Sequence, residues 1–299
     1  MRLCWNDWFN GPIGGMRIED AKMLSAIGFR VAGINSGYAD ATEKDIDHVR
    51  RVFGEAGLVP GPYAGGGGAV IHPDPSICRR NIERIRKSLV IAGKLGCTGL
   101  RYSVGSMHPT DVWMHHPENH TQKSLDLLIE NTKELVPAAE DAGVMLCPET
   151  TQFTIVNTIE RMKEYVDRLD SPYATIVFDP VNHITAERAY ETGRFVQCAI
   201  AYLGDRIGEI HVKDVKVEDQ QLVVHINEAP MGTGLLDHAA LMRASNQLEP
   251  WKTFSLEHIS DPNLIKKAYD FIQGVADRIG HQWTDPTLTR EKWMKGRKR

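Results

Sequence analysis

Four residues able to bind a metal ion stand at the ends of four successive apolar runs. VMLCPE ends at Glu149, ATIVFD at Asp179, IGEIH at His211 and TFSLE at Glu257. Singly, each has an ordinary reading. A carboxylate at a strand end forms an ion pair or caps the next helix, and the DP of FDPVNH opens a turn. A His in an apolar run is more often a hydrogen-bonded core residue than a ligand. Jointly the four conflict. Three carboxylates and an imidazole gathered at one place would repel one another and resist leaving water. A divalent cation resolves that conflict. Oxygen-rich donors with one imidazole suit Mn2+ first, with Mg2+, Co2+ or Zn2+ as alternatives.

For these residues to meet, the runs that carry them must be strands of one sheet. Each run is rich in Val, Ile, Leu, Phe or Thr, and a helix-like stretch separates it from the next, as in buried parallel strands. The first half of the chain reads the same way. Strands are expected at Arg2–Trp5, FRVAGIN, LVPG and TGLRYSV. Helices are expected over about Arg17–Ile27, Asp45–Glu55 (capped by Thr42), Ser76–Leu95 and Gln122–Asp141, ended by Gly28, Gly57, Gly96 and Gly143. The second half predicts helices over about Val156–Leu169, Glu187–Leu203, from Asp237, and Asn263–Arg278. QQLVVHI reads as the returning arm of a hairpin after the third run. Eight strands alternating with eight helices predict one (β/α)8 barrel, a TIM barrel, over residues 1–280. Residues 281–299 are a C-terminal extension whose basic end, KWMKGRKR, reads as a solvated tail. The competing fold is an open doubly wound sheet. No Gly-rich dinucleotide fingerprint opens a βαβ unit, however, and GGGG at Gly65–Gly68 lacks both that spacing and the Lys of a phosphate loop.

In a closed barrel, polar residues at the C-terminal strand ends converge on one mouth. Other candidates belong there. The long loop from Gly105 to Thr121 carries His108, Trp113, His115, His116 and His120, whose faces and edges suit a sugar ring or an aromatic group. Trp5, Trp8 and Arg101 are further pocket candidates. Lys213, two residues after His211, points to the same side, with a substrate-binding or charge-balancing role. Asp214 and His258 are expected to face away. Composition narrows the classes. The 299 residues carry a net charge of −4 and a pI near 6.3, with no Lys/Arg stripe, which argues against nucleic acid. No apolar run is long enough to span a membrane, and MRLCWNDWFN turns polar too early for a signal peptide. Cys4, Cys78, Cys97, Cys147 and Cys198 lack CxxC spacing, pointing to a reduced, cytoplasmic protein without a structural zinc site.

The motifs LCPET, VFDPVNH, EIHVKD, PMGTG and FSLEH resemble those of the sugar phosphate isomerase/epimerase family, within the xylose-isomerase-like TIM barrel superfamily. The resemblance is strongest from the fifth to the eighth strand. It implies metal ligands at Glu149, Asp179, His211 and Glu257, with Glu149 and Glu257 also the acid/base pair. It puts Asn182, three residues after Asp179, against substrate or the metal ligands. Thr233 departs from it, since many members carry Glu or Arg there. The implied activity is a metal-dependent isomerase or epimerase that removes a proton next to a carbonyl of a sugar or polyol, through an enediolate. The alternative is a lyase or dehydratase performing β-elimination on a 3-oxo-sugar, 3-oxo-glycoside or inosose, which needs almost the same residues. Endonuclease-IV-type DNA repair is a remote alternative: His72 and His108 would supply extra ligands, but the acidic pI opposes it. The implied partner is a small carbohydrate, with a homo-oligomer or partner subunit left open.

Overall fold

The apolar runs close on themselves as a ring of parallel strands. The computed structural model describes the chain apart from Asp7, Trp8, Asn10, Gly66, Gly67, Lys298 and Arg299. Its elements in order are β1 (Arg2–Trp5), α1 (Ile18–Ile27), β2 (Val31–Asn35), α2 (Glu43–Ala56), β3 (Val59–Ala64), α3 (Pro75–Leu95), β4 (Gly99–Ser103), α4 (Gln122–Lys133), α5 (Val136–Ala142), β5 (Met145–Glu149), α6 (Ile159–Leu169), β6 (Ile176–Phe178), α7 (Thr192–Leu203), β7 (Ile207–Val212), β8 (Asp214–Val217), β9 (Ile226–Ala229), α8 (His238–Ser245), β10 (Thr253–Leu256), α9 (Pro262–Ile279) and α10 (Arg290–Arg297). Eight strands form a closed barrel in the order β1-β10-β7-β6-β5-β4-β3-β2. Every pair is parallel, with registers such as Cys4 opposite Ser255 and Ser255 opposite His211. The expected (β/α)8 barrel is the fold.

Local chemistry sets the helices. Thr42 and Asp45 form a reciprocal cap at the start of α2, and left-handed glycines at 57, 96, 143 and 280 end α2, α3, α5 and α9. The apolar faces of the helices cover the barrel, and Leu24, Val49, Ile85, Leu128, Ile200 and Ile272 are all fully buried. Each such side chain contributes roughly 1.5–3 kcal/mol by leaving water.

Four expected elements differ. The single helix over Gln122–Asp141 is two, because Pro137 has no N–H to continue the ladder and instead sits in the first turn of α5, where none is needed. The helix expected from Val156 starts at Ile159, where the Thr158 hydroxyl accepts from the Arg161 N–H at 3.2 Å. The one expected from Glu187 starts at Thr192, after turns. The hairpin exists, β8 pairing antiparallel with β9, but only Ile226 of QQLVVHI lies in its second strand, and Leu222, Val223 and Val224 stand exposed.

The C-terminal segment runs back beneath the barrel. The Thr284 N–H donates to the Met1 carbonyl at 3.0 Å, and the Arg2 guanidinium donates to the Pro286 carbonyl at 3.1 Å. Leu288 and Trp293 pack on Met145, Cys147, Val177 and Trp251. The end expected to be a solvated tail is therefore a mostly exposed helix, α10, anchored by one turned-in Trp. No helix among the described residues is long and apolar enough to cross a membrane.

Candidate metal centre

Strand ends build the site. Glu149 is the last residue of β5, Asp179 follows β6, His211 lies near the end of β7 and Glu257 follows β10. Each offers a ligand atom, and these four atoms lie within 4.8 Å of one another. Asp179, His211 and Glu257 are buried, while the Glu149 side chain keeps 22% of its exposure. His211 Nδ1 stands between two carboxylates, 2.8 Å from Glu257 Oε2 and 3.7 Å from Glu149 Oε1. That nitrogen is buried and makes no aligned hydrogen bond. Three carboxylates and one imidazole whose ligand atoms lie within 4.8 Å of one another are a donor set matched to a divalent cation, so the residues present could hold one.

Lys213 is the counter-charge. Its Nζ lies 2.8 Å from Asp179 Oδ2, 3.0 Å from Glu257 Oε1 and 3.2 Å from Glu228 Oε1. Burial alone would lower its pKa, but Asp179, Glu257 and Glu149 together raise it above the usual lysine value. The same balance sorts the acids. Burial pushes the Asp179 carboxyl up, and despite Lys213 it stands at about 6. Burial also acts on Glu257, but His211 and Lys213 outweigh it and hold that carboxyl well below its usual range. Burial opposes protonation of His211, yet Glu257, Glu209 and Glu149 raise it well above an ordinary imidazole.

Surrounding residues orient these groups. Asn182 Nδ2 donates to Glu149 Oε1 at 3.0 Å, and the Val181 N–H donates to Asp179 Oδ1 at 2.9 Å. Three residues that the sequence reading did not single out lie beside or beneath the ligands. Asn6, directly after β1, donates from Nδ2 to Glu257 Oε2 at 3.1 Å and lies 3.3 Å from His211 Nε2. Glu209 Oε1 is 3.7 Å from His211 Nε2 and accepts from the Ser255 hydroxyl at 2.5 Å. Glu228, from the hairpin, joins Lys213 to His258 Nδ1 at 2.8 Å. The alternation Glu209, His211, Lys213 is a period-2 signal that would have revealed Glu209, since all three share one face of the chain leaving β7.

The remaining sequence candidates divide. Asn182 and Lys213 touch the ligands. Arg101 lies in the barrel interior, 8% exposed, with its Nε 3.8 Å from Glu209 Oε2. Trp5 is core, its ring 5.6 Å from that of Phe29, and Trp8 lies outside the described residues. The loop carrying His108, Trp113 and His115 follows β4 on the same face, organised by the buried Asn119. That amide accepts from the Met107 N–H at 2.8 Å and donates to Ser106 Oγ at 2.8 Å and the Phe153 carbonyl at 2.7 Å. His108 Nδ1 accepts the Asp111 N–H at 3.2 Å, Trp113 is 38% exposed, and the His115 ring lies 5.3 Å from that of His120. Among the described contacts, none joins these three to the ligand residues. Asp214 faces away from the ligands as expected. His258 does not: with φ 61° it turns back toward Glu228 and Lys213.

The fold and site together define a barrel with a candidate centre for a divalent cation at its C-terminal mouth. The chain belongs to the xylose isomerase-like TIM barrel family, which matches residues 21–275. A putative L-ribulose-5-phosphate 3-epimerase of Escherichia coli (strain K12), SgbU, is 24% identical over 184 residues, which are 62% of this chain and 59% of that relative's length. Two solved structures share the fold. A xylose isomerase-like TIM barrel protein from Mycobacterium smegmatis, in complex with magnesium, is 14% identical with a TM-score of 0.72, covering 93% of this chain and 97% of that one. D-psicose 3-epimerase, crystallised in the presence of D-fructose, is 13% identical with a TM-score of 0.72, covering 94% and 100%.

Proposed function

We propose that this protein is a divalent-metal-dependent sugar epimerase or isomerase, removing a proton from carbon next to a carbonyl and returning it. The observation that carries the proposal is the pair Glu149 and Glu257 on either side of His211, reached from β5 and β10, with β6 and β7 between them in the barrel. Glu149, Asp179, His211 and Glu257 would hold the cation, Mn2+ in our reading, and when bound it supplies Lewis-acid polarisation of the substrate carbonyl and hydroxyl.

The chain's own groups then divide the proton work. Glu257, held ionised by His211 and Lys213, accepts the proton from one face of the carbon. The enediolate takes a proton back on its other face from the carboxyl of Glu149, which Asn182 aims by its 3.0 Å hydrogen bond. One turnover leaves Glu257 protonated and Glu149 ionised, so exchange with water resets the pair. Family membership and the relatives' printed activities support this reading, and the free cysteines suit a reducing, cytoplasmic setting.

Incubating the Mn2+-loaded protein with a panel of ketoses and ring ketones in D2O tests it. The expected result is deuterium at one carbon of recovered and epimerised sugar. An unsaturated product or a released leaving group would instead assign β-elimination, and an unlabelled panel would overturn both.

A further inference from the structure

Glu209 is a carboxylate that the proposed chemistry does not use. It is fully buried on β7, two residues before His211, and faces the opposite edge of the imidazole from Glu149 and Glu257. A charge in such a place is costly unless it is paired. Among the described residues its ion-pair partners are Arg101, whose Nε lies 3.8 Å from Oε2, and His211, whose Nε2 lies 3.7 Å from Oε1. Ser255 Oγ, from β10, fixes Oε1 by donating to it at 2.5 Å. Gly33 of β2 makes room for Arg101 to cross the barrel interior: a Cβ there would lie 3.0 Å from both Arg101 Nη2 and Asn6 Oδ1.

The His211 ring has two nitrogens, and one of them faces the other ligand candidates. That one is Nδ1, 2.8 Å from Glu257 Oε2 and 3.7 Å from Glu149 Oε1. A ring nitrogen binds a cation through its lone pair, so the hydrogen of the neutral ring must then sit on Nε2. Two groups face Nε2, and they favour opposite arrangements. Asn6 Nδ2, at 3.3 Å, is a donor and suits an Nε2 without hydrogen. The Glu209 carboxylate only accepts and suits Nε2–H. The charged partner makes the stronger bond. Asn6 Nδ2 also has Glu257 Oε2 to donate to, at 3.1 Å, which fixes the way its amide points.

We propose that Glu209, held in place by Arg101, is the positioning residue that keeps the His211 hydrogen on Nε2 and so leaves Nδ1 to take the cation. The proposal rests on the metal reading above and adds to it what sets one of the ligands. In this role neither Glu209 nor Arg101 touches substrate.

Replacing both members of the pair, Arg101→Met with Glu209→Leu, leaves no buried charge alone. The double variant should therefore fold, with the thermal midpoint of the metal-free protein nearly unchanged. Titration calorimetry with Zn2+ should show it binding roughly 10–100-fold more weakly than the wild type. Glu209→Gln keeps the volume and an oxygen acceptor, and should recover most of that loss, which it would not do if the carboxylate served only to pair Arg101. Long-range proton–nitrogen spectra of the Zn2+-loaded, 15N-histidine-labelled proteins read the ring directly. Wild type and Glu209→Gln should show His211 with its hydrogen on Nε2, and the double variant should lose that single form. A double variant that binds Zn2+ as tightly as the wild type, with Nε2–H kept, overturns the proposal and leaves the metal centre standing. The wild-type spectrum needs no substitution and decides even if the double variant does not fold: Zn2+ on Nε2 of His211 overturns the proposal. A wild type that binds no Zn2+ overturns the metal reading and the proposal with it.

Discussion

At the scale of single residues, charge decides what each carboxyl can do. Glu257 meets His211 and Lys213 and stays ionised, whereas Asp179, equally buried, is pushed up to about 6. The proposed acid/base roles therefore predict that Glu149→Gln and Glu257→Gln each lower kcat by roughly 10²–10⁴-fold, measured by deuterium exchange in steady state. Retention of full activity by either variant would remove that assignment. Asn6→Ala takes a donor from Glu257 and should weaken metal affinity roughly 10–100-fold, read by titration calorimetry. The four candidate ligands could be picked out because each ends an apolar run, where a polar or charged group needs a reason. Asn6 also follows a strand directly, but Asn is common in turns and carries no charge to demand one. Glu209, inside an apolar run, shows in the sequence only through its two-residue spacing from His211 and Lys213, and its partners Arg101 and Ser255 meet it only when the barrel closes.

At the scale of elements, the segment after β7 departs most from a plain barrel. The hairpin reaches back through Glu228, and the turn behind it hangs on one carboxylate. Asp214 accepts the N–H groups of Val215, Gly232, Gly234 and Leu236. Asp214→Ala strands these donors and should cost on the order of 3 kcal/mol in urea unfolding, with faster amide exchange at Gly232–Leu236. An unchanged exchange pattern would mean that the turn stands without it. Strands and most helices could be read from periodicity and glycine stops. The split between α4 and α5 was also written in the chain, at Pro137, and overlooking it joined two helices. The late start of α7 was not written there, because Glu187–Glu191 has the composition of a helix and leaves it only in the tertiary setting.

At the scale of the whole molecule, burial couples stability to pH. His183 is fully buried beside Thr150, its Nε2 3.1 Å from the hydroxyl oxygen, and burial lowers its pKa to about 4. The folded protein therefore keeps it neutral while the unfolded chain, at the ordinary value of 6.5, protonates first as pH falls. Its contribution is fully present above pH 6.5 and is lost between 6.5 and about 4, amounting to ~3 kcal/mol. Unfolding free energies across that window should flatten in His183→Gln; an equal acid slope in the variant would assign the loss elsewhere. The barrel's most direct test is the cation itself. Titrating Mn2+ into metal-free protein, with heat and thermal midpoint recorded together, should give one site per chain and a rising midpoint. At a hundredfold excess over Kd the added stability is ~3 kcal/mol. Asp179→Asn and His211→Ala should remove both signals. A wild-type protein that takes up no divalent ion, or an unchanged titration in the two variants, would contradict the claim that these four strand ends form a metal centre.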